Sequence, residues 1–123
     1  MAKNNNTNST RYYSDKHEKS ICKALGAKQQ PNSGASKFSK GDIVHDGASM
    51  LIEAKCSMTE KQSVSIKREW FEKNKNEAFS IRKQNHAVCI NFGPSDKSSY
   101  YVINERLMKF LIDKLEEDYK EDI

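Results

Sequence analysis

No stretch of this chain comes near the roughly 18 consecutive apolar residues that a membrane-spanning helix requires, so a bilayer protein is not expected. Cysteine is scarce. Cys22, Cys56 and Cys89 are an odd number with no Cys-x-x-Cys and no Cys/His pair at zinc spacing, which excludes a disulfide framework and reads as free thiols in a reducing compartment. The opening "MAKNNNTNST" has no apolar core of a secretory signal, so a cytoplasmic location is expected, the host cytoplasm if the source is viral. Internal repeats and sustained heptads are absent as well. What is there is 123 residues, the size of one ordinary domain, with 36% hydrophobic and 31% charged residues. Lys and Arg outnumber Asp and Glu by 21 to 17, a balance that suits a polyanionic partner without requiring one.

Residues 1–10 lack apolar periodicity and read as a disordered arm ahead of a single domain, 11–123. "SDKHEKSICKAL", residues 14–25, predicts a helix with an apolar stripe at Ile21, Cys22 and Leu25, stopped by Gly26. Glu18 falls on that inward stripe, where an apolar residue belongs. The next segment reads as a short strand that passes into a Ser/Gly-rich loop. Two strands, about 42–46 and 49–55, follow around Asp46-Gly47, a pair favoured in two-residue hairpin turns. A helix over about 63–84 carries a stripe of Ile66, Trp70, Ala78 and Ile81. "HAVCINFG" predicts a buried central strand and "SSYYVIN" an edge-ward neighbour, and a final helix places Leu107, Phe110, Leu111 and Leu115 inward. The expected class is α/β, a small mixed central sheet flanked by helices.

The hairpin carries the chemistry. With Asp46-Gly47 as the turn, Asp42 faces Leu51, and the two-residue strand period sets Asp42, Glu53 and Lys55 on one face, Glu53 diagonal to Asp42. Two converging carboxylates suit a hard cation, Mg²⁺ or Mn²⁺, and an adjacent lysine can hold a water or offset charge on a phosphate. Glu18 is a candidate further acid for the same site. A surface ladder of paired charges would explain the spacing alone, but the apolar setting "MLIEAK" and the misplaced Glu18 favour a site.

"GDIVHDGASMLIEAK", preceded by the helical Glu18 and the loop "NSGAS", resembles the core of the PD-(D/E)XK nuclease superfamily, most closely the archaeal-type Holliday junction resolvases also found in phages. The resemblance covers about residues 14–92 and implies a restriction-endonuclease-like core. It places the metal acids on Asp42 and Glu53 together with the Ala54 backbone carbonyl, the catalytic lysine on Lys55 and the helical glutamate on Glu18 as supporting acid and metal ligand. The family's loop serine falls on Ser33, with Ser36 second. Gly41 stands where the motif is named for proline, and nothing after residue 93 matches a motif. The resemblance implies a Mg²⁺-dependent homodimer, Mn²⁺ substituting, that cuts a four-way DNA junction and leaves 5′-phosphate ends in recombination and repair.

Basic residues gather around this segment: Arg11, Lys16, Lys37, Lys40, Lys61, Lys67 and Arg68, with Gln62, form the expected backbone-binding surface. No base-reading motif accompanies them, which favours recognition of DNA shape. His17 is expected on an exposed helix turn, a candidate DNA contact, and His45 on the face away from Asp42. Two other functions share these features: a nuclease of the same core acting on ordinary duplex, and a non-catalytic DNA-binding domain.

Overall fold

The structure, a computed structural model, describes residues 10–30, 42–95 and 99–121. The elements are α1 (Thr10–Leu25), β1 (Lys28–Gln29), β2 (Asp42–His45), β3 (Met50–Lys55), α2 (Arg68–Ser80), β4 (Asn85–Ile90), β5 (Tyr100–Val102) and α3 (Glu105–Glu121). The strands form one five-stranded sheet in sequence order. β1, β2 and β3 run antiparallel, β4 lies parallel to β3 after the α2 crossover, and β5 closes the edge antiparallel. This is an α/β architecture, a mixed sheet flanked by helices. No helix among the described residues is long and apolar enough to cross a membrane.

Strand alternation divides the core in two. Ile43, Ile52, Ala87 and Cys89 meet Ile21 of α1 on one face, while Val44 and Leu51 meet Ala78 of α2 on the other. β4, an interior strand between β3 and the edge strand β5 and parallel to β3, buries both its faces, and Ala87 through Ile90 form a continuous apolar run. Each fully buried Ile contributes about 1.5–3 kcal/mol of transfer free energy, so Ile21, Ile43 and Ile52, all 1% exposed or less, anchor α1 to the sheet.

Several boundaries differ from the sequence expectation. α1 starts at Thr10, not Ser14, because Tyr13 and His17 extend the inward face of Ile21 by two turns. Leu25, expected inward, is exposed beside Gly26, whose φ of 67° ends the helix. α2 spans Arg68–Ser80 instead of 63–84. Its C-terminus is a Schellman motif built on Arg82 at φ 61°, with Lys83 N–H donating to Ala78 O and Arg82 N–H to Phe79 O. No glycine marks that stop, so composition runs past it. Ile66, expected on the α2 stripe, precedes the helix and is exposed, and Asn74, one turn from both Trp70 and Ala78, takes a buried place and donates to Leu51 O. In α3 only Leu107 of the four expected inward residues is buried; Phe110, Leu111 and Leu115 are exposed. The expected disordered arm falls on residues 1–9, outside the described residues, apart from Thr10 at the start of α1.

Candidate active site

The hairpin turn is longer than Asp46-Gly47. Its last pair is His45↔Met50, and Asp46 through Ser49 form a four-residue loop with Ser49 N–H donating to Asp46 O. Gly47 does not take the left-handed conformation of a two-residue turn; Ser49 does, at φ 50°. Tertiary bonds select the longer loop. Asn85 donates from its backbone to Ser49 O and from its side chain to Ala48 O, and Gln84 N–H donates to Ser49 Oγ. Asp46 is clamped by Lys83 at 2.7 Å and Lys28 at 3.0 Å, which pull its carboxyl down to about 2. Asp46 is therefore a turn residue.

This loop shifts the pairing by two residues, so Asp42 faces Glu53 and not Leu51. An even shift keeps every side chain on its face. Positions 42, 53 and 55 still share one side of the sheet, and the two acids become direct cross-strand partners rather than diagonal neighbours. The Asp42 side chain lies outside the described residues, as do Ser33, Ser36, Lys37 and Lys40 entirely and the side chain of Arg11.

Glu53 is 4% exposed, an unusual place for a carboxylate. Its Oε2 lies 3.6 Å from Lys55 Nζ, and its Oε1 is buried with no hydrogen-bond partner among the described residues. Lys55 in turn lies over the Trp70 ring of α2, Nζ 4.9 Å from the centroid. The site thus consists of a half-buried lysine fixed by an aromatic face, a buried acid with an open oxygen, and a second acid opposite it in register. Hard oxygen donors of this kind fit Mg²⁺ or Mn²⁺. Among the described residues no three His, Cys, Asp or Glu side chains gather around one point.

Glu18 is buried, as its place on the stripe requires, but it approaches the sheet from the α1 face. Gln29 of β1 donates to Glu18 Oε1 at 2.8 Å and to Asp15 Oδ1 at 3.3 Å, and its register partner is Ile43 of the α1 face. The structure therefore brings Glu53 and Lys55 together with position 42 and sets Glu18 on the other side of the sheet. Ala54 pairs with Cys89 at the β3–β4 seam.

Comparisons with family models, curated proteins and solved structures return no match.

Lys16, Lys61, Gln62, Lys67 and Arg68 are all exposed, Arg68 pairing with Glu72 at 3.2 Å. Lys16 and His17 line an open pocket of about 130 Å³ with Cys56, Ser57 and Asn91, beyond the ends of β3 and β4. His17 is not on an exposed turn. It is half-buried, its Nε2 3.3 Å from Ser99 Oγ and 3.9 Å from Cys89 Sγ, and burial lowers its pKa. Burial likewise raises the thiols of Cys56 and Cys89. Trp70 and Gln29 are the contributors that sequence reasoning missed. Trp70 is visible only as a stripe residue, and Gln29 lies on a two-residue strand with no pattern to mark it.

Proposed function

We propose that this protein is a metal-dependent DNA endonuclease with a restriction-endonuclease-like core, acting on four-way junctions. The observation that carries the proposal is the register pairing of Asp42 with a buried Glu53 whose Oε1 has no partner among the described residues, beside Lys55. A buried carboxylate with an open oxygen costs stability unless a cation takes it up. In this reading Asp42, Glu53 and the Ala54 carbonyl hold Mg²⁺, which when bound polarises a phosphoryl oxygen and lowers the pKa of its water. Lys55, fixed by Trp70, orients the attacking water and offsets charge building on the phosphate. Water adds to phosphorus, the P–O3′ bond breaks, and a 3′-hydroxyl and a 5′-phosphate remain. Glu18, on the other face of the sheet, is given no metal contact and a supporting role only. Lys16, Lys61, Lys67 and Arg68 supply exposed charge for the DNA backbone, and cutting two opposed strands of a junction calls for two copies of the chain.

The test uses the purified full chain, a synthetic four-way junction and linear duplex of the same sequence, with Mg²⁺ or EDTA. The expected result is Mg²⁺-dependent cutting of the junction in preference to duplex, and binding without cutting by Asp42→Asn and Glu53→Gln. Equal cutting of both substrates removes the junction claim. No cutting of any DNA in Mg²⁺ or Mn²⁺ removes the nuclease claim and leaves a DNA-binding domain.

A further inference from the structure

α3 is 17 residues, about 25 Å long, and is attached to the body by its first turn. Asn104 caps it, Oδ1 accepting from Leu107 N–H; Leu107 is buried; and Arg106 donates to Gln84 O and Asn85 Oδ1. Beyond that turn Met108, Leu111, Ile112, Leu115 and Tyr119 are 42–67% exposed. At 100° per residue these five side chains fall within an arc of about 100°, a complete amphipathic face. A helix of this length is marginal in water without tertiary packing of such a face. The exposed apolar area is on the order of 500 Å² per chain, at the size that marks interaction surfaces on soluble proteins.

We infer that α3 is a self-association face, on which a second copy of this chain packs its own α3 in antiparallel orientation. Charge decides the partner and the direction. The flank of the stripe carries Glu105, Lys109, Glu116 and Lys120 in chain order. Two such helices crossing antiparallel about a point between Ile112 and Asp113 set Lys109 beside Glu116 of the second copy and Glu105 beside Lys120 of the second copy. Twofold symmetry then gives four attractive pairs. Tyr119 then lies within about two residues of Met108 of the second copy and Leu115 within one residue of Leu111, so the apolar stripes meet along their length. In a parallel pair the same flanks lie on opposite sides of the seam, so these four residues do not meet their counterparts and the attractive pairs are lost. The intrahelical Lys109–Asp113 pair, exposed at 3.2 Å, competes only weakly. Antiparallel pairing also brings each acidic C-terminal end next to the positive end of a helix dipole. Burying both faces removes on the order of 1,000 Å², at the low end for specific complexes, the size of a weak and reversible association.

This inference rests on α3 and not on the nuclease proposal, and its readout is mass rather than cleavage. Sedimentation equilibrium of the full chain across the micromolar range is expected to show a monomer–dimer equilibrium. Leu111→Asp with Leu115→Asp weakens it by about a hundredfold or more. Because α3 is held to the body through Leu107, the variant keeps its circular dichroism apart from some loss of α3 helix. Lys109→Glu alone or Glu116→Lys alone weakens the dimer by about tenfold, and the two together in one chain restore it. A monomer at every concentration overturns the inference, as does a dimer indifferent to the Leu111/Leu115 change. Failure of the double charge reversal to restore association overturns the antiparallel arrangement.

Discussion

Glu53→Gln is expected to make the protein more stable. In the folded chain the Glu53 carboxylate is 4% exposed, one oxygen lacks a partner among the described residues, and the other has a lysine at 3.6 Å, beyond hydrogen-bond length. A buried carboxylate with an unpaired oxygen costs about 1–3 kcal/mol. Against this stands one ion pair to Lys55, which is 35% exposed and retains water and the Trp70 ring when its acid is neutralised. The amide has nearly the shape of the carboxylate and leaves the packing intact; its own polar end takes the same unpaired place, so what it relieves is the buried charge. The balance is a gain of about 1 kcal/mol, or a rise in Tm of about 3–6 °C for a domain of this size. Urea denaturation followed by circular dichroism, without divalent cation, measures it. Adding Mg²⁺ should raise the midpoint of the wild-type chain, by about 1.4 kcal/mol at tenfold excess over its dissociation constant, and leave Glu53→Gln nearly unmoved. A variant that unfolds at the same or lower urea than the wild type refutes the reasoning, because it shows the carboxylate already satisfied in the fold. The outcome also bears on cleavage: a more stable variant that cuts nothing has lost chemistry and not structure.

Gly93→Ala is expected to cost about 2 kcal/mol or more, read as a lower urea midpoint: a Cβ at φ 152° would meet the Glu60 backbone at 2.8 Å, and Glu60 holds Ser95 through its N–H at 2.9 Å and its hydroxyl at 2.8 Å. The half-buried His17 has a folded-state pKa below 6.5 because burial disfavours its charged form, so the unfolded chain takes up the proton first. Stability therefore falls as pH drops below about 6.5 towards that lowered value, and His17→Gln flattens the fall in the urea midpoint between pH 7 and 5; His86, also lowered, supplies the slope that remains. An unchanged slope in the variant would exclude His17 as the titrating group.

The shared face of positions 42, 53 and 55 is legible in the sequence even though the turn is not. The strand period alone assigns faces, and a loop change of two residues leaves the assignment standing while it moves Asp42 from Leu51 to Glu53. What selects the four-residue loop is a set of bonds from Gln84, Asn85 and Lys83, some 35 residues away in the chain, and no local propensity reports them. The inward Glu18 is likewise legible as a break in periodicity, but its partner Gln29, and hence the side of the sheet it occupies, depends on β1, two residues long. His17 is misplaced for a related reason: counted as polar, it hides the stripe it shares with Tyr13 and Ile21.

α3 poses the opposite problem, because its pattern is strong and its outcome differs. Periodicity reports that a helix has an apolar face and so must be covered; it does not say that the cover comes from the same chain. Leu107, at the anchored first turn, is buried against the body, whereas Leu111 and Leu115, one and two turns on, are exposed at 42% and 52%. An inward stripe would need strands or helices under the whole length of α3, and the described sheet ends at β5, three residues long, just ahead of it. The same apolar sequence that reads as core in a single chain is therefore better matched by a partner surface. The alternation of Glu105, Lys109, Glu116 and Lys120 along its flank limits which surface and which direction will serve.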